Sequence, residues 1–287
     1  LRVQQCHTEH LASAAGNNLL PFGLSQGSNF WNPFGAYYPA LPFYGHSLMD
    51  AHHPWTAHYE VRAPVWAAAH QCQFTQRGWY FLKPEQGSGL LQGGVCGSYL
   101  SFVSPDSQNV TIVVQTNNLQ GIGVPFNPEC RDEQTATFVL EGSLGHISHM
   151  AVWQSSYGPY GEPLMQFQRQ TDVEVVNNSF TVQIQSNSIL TLTSLTLSGK
   201  HGTHPTPPPA QPFPLPYTED FDEYPVIGDA EKSMIPRYFS DMSGGFAVEN
   251  HIDGNNNSNG VLHQQVPQMP IGWYAMDADY VPYTIIG

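Results

Sequence analysis

Between Trp79 and Leu197 the apolar residues recur with a period of two, and no helical period interrupts them. The runs NVTIVVQT, QTATFVLEGS, HMAVWQ, LMQFQRQ, DVEVV, SFTVQIQS and SILTLTSLTL are short and rich in β-branched residues, with Gly, Asn, Pro and Ser between them. Alternation of this kind puts one face of a strand inward and the other outward. About seven such strands in succession specify a β-sandwich.

The stretch just before this region has a different character. VWAAAHQCQF has helical composition, and GWYFL, which follows shortly after, is of strand type. The spacing predicts a helix over residues 62–74. Pro64 suits its first position, where a missing N–H costs nothing. Val65, Ala68, Ala69 and Cys72 share one face at i, i+3, i+4 and i+7, and Gly78 suits the helix end. The change of period at Gly78 therefore reads as a domain boundary, with residues 1–77 before it and a sandwich over 78–197. A Pro-rich run, GKHGTHPTPPPAQPFPLP, occupies 199–216. It favours polyproline II and reads as a semi-rigid linker, centred on 198–213. EDFDEYP then opens a second β-rich region over 214–287, with NNNSNG at 255–260 as a polar turn or loop and YVPYTIIG as a strand-like run.

Charge narrows the function classes. The chain has 9 basic and 23 acidic residues, a net charge of −14, with only 11% of residues charged. A nucleic-acid binder needs a basic footprint, and none is visible. The 13 His residues gain charge between about pH 7 and 5, which reduces the negative charge in an acidic compartment. There is no apolar run of 18 residues, so no transmembrane helix is expected. The opening LRVQQCHTEHLASAAGNN has neither an initiator Met nor a signal-peptide pattern, and the chain reads as a piece of a longer protein at both ends. The four cysteines, Cys6, Cys72, Cys96 and Cys130, allow three full pairings, and no CxxC occurs. Sequons stand at Asn109, Asn177 and Asn256; with the cysteines and the low charge they point to the secretory pathway.

The residues that could carry chemistry also have plainer readings. His52, His53 and His58, with Asp50 nearby, lack metal-ligand spacing and read as loop histidines. Asp220 and Asp222 alternate around Phe221, so two hard-oxygen groups point the same way and could serve Ca²⁺; a solvated acidic turn is the plainer reading. Trp31, Trp55 and Trp273 could stack on a sugar face or simply pack. Of Glu9, Asp50 and Glu60, only Glu9 is a candidate carboxylate for glycosidic chemistry.

The segment LPFYGHSLMDAHHPWTAHYEVRAPVWAAAHQCQFTQRGWYFL closely resembles the galactosylceramidase family of glycoside hydrolases. PTPPPAQPFPLPYTEDFDEYP and HQQVPQMPIGWYAMDADYVPYTIIG are similar to that family's linker and last domain, while residues 1–28 match poorly. The resemblance implies a TIM barrel, a β-sandwich and a lectin-like domain. On that basis residues 29–77 form the end of the barrel, 78–197 the sandwich and 214–287 the first part of the lectin-like domain. It implies a retaining β-glycosidase acting on galactosylceramide-type glycosphingolipids. The acid/base and nucleophile glutamates would both precede Leu1, so no catalytic residue is expected in this chain.

The resemblance further implies that Trp31 and Trp273 wall the sugar pocket, that Asp220, Asp222 and Gly260 hold Ca²⁺, and that Asn109 is glycosylated. A saposin-like lipid-presenting partner and a lysosomal or secretory location follow from it as well. Two positions depart from the family pattern. Val124 stands where the family has a sugar-contacting Arg, so either Arg131 reaches in or the glycone differs. Ile122 stands where the family has a cysteine bonded to the barrel. The alternatives are a glycosidase of the same architecture with another sugar, and a non-catalytic sandwich–lectin piece that binds glycans or calcium.

Overall fold

The computed structural model describes residues 33–35, 47–91, 96–116, 130, 133–196, 205–224, 234–255, 257–266 and 282–286. The chain divides into two compact units, one of Leu1–Asp50 and Glu60–Pro205, the other of Ala51–Tyr59 and Thr206–Gly287.

The first unit opens with three two-residue strands, β1 (Phe34–Gly35), β2 (Met49–Asp50) and β3 (Glu60–Val61). β1 runs parallel to β2, and β2 antiparallel to β3. Asp50 is buried at the end of β2, where it takes the Ser47 hydroxyl and the Arg62 guanidinium. A buried carboxylate needs such partners, because desolvation without them is costly.

Helix α1 (Ala63–Cys72) follows, with Pro64 in its first turn. The strands after it are β4 (Tyr80–Phe81), β5 (Gly89–Leu90), β6 (Ser98–Val103), β7 (Val110–Gln115), β8 (Gln134–Val139), β9 (His149–Tyr157), β10 (Pro163–Arg169), β11 (Val173–Glu174), β12 (Ser179–Ile184) and β13 (Ser188–Thr193). One sheet has the order β10-β9-β13-β7-β6-β4, with β11 on β9 and β5 on β6; β8 and β12 form a separate pair. Each of the seven alternating runs becomes a strand. The main core lies between the layers, where Val110, Ile112, Val114, Leu190 and Leu192 share a cluster with Phe180, Val182 and Ile184.

The other face of the large sheet is covered too. Leu100, Phe102, Val113 and Ile189 pack with Ala67, Trp79 and Phe81. β6, β7 and β13 are therefore almost wholly buried, although their sequences alternate apolar with Ser and Thr. The buried hydroxyls find partners. Thr111 Oγ1 donates to the Phe74 carbonyl at 2.8 Å, and Thr191 Oγ1 to the His70 carbonyl at 2.8 Å.

The helix differs from expectation in its buried face. Cys72 is exposed, whereas Trp66, Ala69 and Phe74 join Trp153 and Phe167 in an aromatic cluster. Three consecutive alanines give the helix no strong apolar stripe, and the large ring of Trp66 decides which side turns in. Gly78 is not the helix cap. The helix ends at Cys72, and Gly78, at φ +96°, makes the left-handed turn that leads into β4. Among the described residues one disulfide closes, Cys96 to Cys130, over a separation of 34 residues, and Cys72 is unpaired.

In the second unit β14 (Phe239–Ser243) pairs antiparallel with β17 (Tyr283–Ile286), and β15 (Phe246–Ile252) with β16 (Ser258–Gln264). The expected loop at 255–260 is shorter than its polarity suggested, because Ser258 to Gly260 already belong to β16. Asp253 makes that turn: its Oδ1 accepts the N–H groups of Asn255 and Asn257, each at 2.8 Å. The Pro-rich run, read as a semi-rigid linker, is anchored by three contacts. The Trp55 indole N–H donates to the Gln211 carbonyl at 2.8 Å, His58 Nδ1 lies 2.7 Å from the Pro208 carbonyl, and Phe213 meets Trp55 edge-on at 5.5 Å.

Candidate functional site

The acidic turn of the second unit is where sequence and structure meet most closely. Glu219 organises it. Its Oε1 accepts the Phe221 N–H at 3.0 Å, and its Oε2 accepts the hydroxyls of Tyr217 at 2.8 Å and Tyr224 at 3.1 Å. Tyr224 in turn accepts the Arg237 N–H at 2.8 Å. Burial pushes the Glu219 carboxyl up, but the hydrogen bonds from Tyr217, Phe221 and Tyr224 outweigh this and hold it below the ordinary range. Tyr217 is raised by burial and by its bond to Glu219.

This clamp shapes the residues that follow. Phe221 adopts φ +63°, Asp220 Oδ1 accepts the Asp222 N–H at 3.2 Å, and Asp222 Oδ1 accepts the Gly260 N–H at 2.8 Å. The turn thus presses onto β16. A Cβ on Gly260 would lie 2.2 Å from the Phe221 carbonyl oxygen, so only glycine permits the approach. Asp220 and Asp222 therefore form one corner, with exposed carboxylates, together with Gly260, which lies 38 residues beyond Asp222. Their donors are hard oxygens, which suit Ca²⁺ or Mg²⁺ and not a soft metal. Among the described residues no group of three or more His, Cys, Asp and Glu gathers as a metal site. Ca²⁺ takes six to eight oxygens, so this corner supplies part of a shell. Sequence reasoning missed Glu219 and its two tyrosines; the signal was present in YTEDFDEY, where a tyrosine flanks the acids on each side.

The other candidates fare differently. Trp31, Trp273, Val124, Ile122, Arg131 and Glu9 lie outside the described residues. Trp55 packs against Phe213, in keeping with its plainer reading. His53 meets Trp55 edge-on at 5.2 Å. Asn109 is half-buried ahead of β7, and its Oδ1 accepts the Ser194 hydroxyl at 3.2 Å.

His70 was not singled out by sequence and is fully buried between α1 and the sheet. Its Nδ1 lies 2.8 Å from Thr191 Oγ1 and its Nε2 2.8 Å from Ser155 Oγ. Thr191 already donates to the His70 carbonyl, so the ring must donate from Nδ1 and accept at Nε2 from Ser155, which accepts the Phe167 N–H at 2.8 Å. Every position on the neutral ring is satisfied. Burial lowers its pKa from 6.5 to about 3.

The sequence profile of glycosyl hydrolase family 59 matches residues 24–73, and that of the family 59 central domain matches 81–199. The galactocerebrosidase of Canis lupus familiaris is 38% identical over 263 residues, covering 90% of this chain and 37% of the relative. The chain belongs to glycosyl hydrolase family 59, the galactosylceramidase family. The galactocerebrosidase of Homo sapiens is 36% identical over 263 residues, again 90% of the chain and 36% of the relative. This family 59 chain thus spans little more than a third of those relatives. Among solved structures, a glycoside hydrolase family 30 subfamily 8 xylanase from Clostridium acetobutylicum covers 69% of the chain and 41% of its own length. At 9% identity and a TM-score of 0.47, that likeness is too slight to assign the fold. The two family 59 profiles part at residues 74–80, around Gly78. Contacts nevertheless group α1 with the sandwich in one unit. No described helix is long and apolar enough to cross a membrane.

Proposed function

We propose that the protein to which this chain belongs hydrolyses the β-galactosyl bond of galactosylceramide-type glycosphingolipids with retention. The observation that carries this is the family 59 match along both the helix segment and the sandwich, with 38% identity to a galactocerebrosidase over 90% of the chain. Retention needs an acid/base and a nucleophile carboxylate about 5–5.5 Å apart. The resemblance assigns both roles to glutamates ahead of the matched segment.

In this reading residues 29–77 complete the barrel, 78–197 form the supporting sandwich, and 214–287 begin a lectin-like domain. Trp31 and Trp273 supply apolar walls for the sugar, the usual partners of its C–H face. Asp220, Asp222 and Gly260 hold Ca²⁺, which would cross-link the acidic turn to β16 as a structural ion. The lipid is presented by a saposin-like protein in a lysosomal or secretory compartment. Val124 in place of the family Arg favours a second reading with a different glycone, because an isopropyl group cannot donate to sugar hydroxyls. The test is a panel of aryl β-glycosides offered to the full-length protein. Turnover of the galactoside above the glucoside is expected; turnover of the glucoside alone would reject galactose and favour the second reading.

A further inference from the structure

Asn177 heads the sequence Asn-Asn-Ser, and no part of the proposed reaction uses it. The structure places it at the tip of a two-residue turn leading into β12. Val176 and Ser179 exchange both backbone hydrogen bonds, at 2.9 and 3.0 Å. Asn177 and Asn178 have φ of 52° and 61°, the left-handed values that this mirror-image turn demands at both central positions. Asparagine tolerates that region better than other side chains with a Cβ. The turn is held from below, where the Leu140 N–H donates to the Asn178 carbonyl at 2.7 Å. The Asn178 amide lies against Gly145, close enough that a Cβ there would sit 3.3 Å from its Nδ2. Asn177 itself is exposed.

The surroundings of the turn also suit a bulky polar substituent. Val176 bridges Ser179, and Ser179 pairs with Val139. Directly opposed residues share a face of a sheet, so the sequon serine lies between two valines that are 58% and 62% exposed. Exposed valines on either side of a polar residue leave an apolar patch on that face. A sugar chain at the turn tip would shield it. Asn109 offers a less open setting, half-buried with its side-chain oxygen engaged by Ser194.

We propose that Asn177 is an N-glycosylation site and that its glycan covers the face where Val139 and Val176 flank Ser179. This rests on the secretory-pathway part of the functional reading and not on the hydrolysis itself. The donor class is an oligosaccharide linked to a lipid diphosphate. A bond forms from Asn177 Nδ2 to the anomeric carbon, the anomeric carbon–oxygen bond to the diphosphate breaks, one amide proton is released, and the lipid diphosphate leaves with the bonding pair. No oxidation or reduction takes place.

The test is to secrete the full-length protein from eukaryotic cells and release its glycans enzymatically in ¹⁸O-water. A glycosylated asparagine then becomes ¹⁸O-labelled aspartate in the peptide map. Label at Asn177 is expected, and Ser179→Ala, which keeps the turn residues, should lose that label and one glycan step on a gel while remaining folded. Unlabelled Asn177 overturns the proposal, whether or not the Asn109 peptide is labelled. Galactoside turnover on the same preparation is read separately, so failure of the glycan assignment and failure of the hydrolase reading are distinguishable.

Discussion

The sandwich sheet and the acidic corner hold together by opposite means. In the sheet, apolar residues fill one face, helix α1 and its neighbours cover the other, and buried hydroxyls and His70 pair with one another. In the second unit the described strands come in pairs of two, and among those residues the buried apolar side chains are few: Pro236, Ala247 and Val248. Two-stranded pairs have little stability of their own. There the work falls to hydrogen bonds around Glu219, to ring edges such as Phe221 against Phe239 at 5.7 Å, and to the close approach of Gly260. The difference teaches where each unit is vulnerable, the first to lost volume and buried charge, the second to lost polar contacts and to the ion the corner would hold.

The largest effect is expected from hollowing the main core of the first unit. Leu192 is fully buried in the main cluster. Leu192→Ala should destabilise the first unit by about 2–5 kcal/mol, read as a lowered denaturation midpoint. An effect below about 1 kcal/mol would show that this core is less tightly packed than described.

Acidification tests the same layer from its polar side. The folded-state pKa of His70, about 3, lies below the ordinary value of 6.5. Between those values the unfolded chain binds the proton and the folded chain does not. The stability linked to the neutral ring is therefore fully present above pH 6.5 and is lost progressively as pH falls toward 3. From pH 6.5 to 5 the loss is about 2 kcal/mol. His70→Gln should flatten that slope, a test made by denaturing both proteins at the two pH values. Equal slopes would contradict the neutral buried ring.

The corner is probed by Gly260→Ala, which drives a methyl group against the Phe221 carbonyl and should cost about 1–3 kcal/mol. It should also abolish any rise of the second unit's melting point with added Ca²⁺. A calcium-dependent rise that survives the substitution would remove Gly260 from the site.

Much of this fold was legible because β-branched alternation and turn residues are local signals. All seven alternating runs became strands, and YVPYTIIG supplied β17. SYLSFV in β6 was not among the runs read as strands, although it is buried on both faces like β7 and β13. The buried face of α1 was misjudged because three alanines say little and His70 reads as polar until Ser155 and Thr191 are seen beside it. The cysteine pairing was not decidable from spacing, since cysteines 34 residues apart meet only through tertiary structure. At the corner the two aspartates were readable as a pair. The role of Glu219 emerges only once Tyr217, Tyr224 and the Phe221 N–H converge on it.

The most direct measurement is release of galactose from galactosylceramide by the full-length protein, compared with Trp31→Ala and Trp273→Ala. Turnover by the native protein, reduced at least about tenfold in kcat/KM in each variant, or about 1.4 kcal/mol of transition-state binding, is the expected result. No release of galactose by a correctly folded native protein would contradict the assignment.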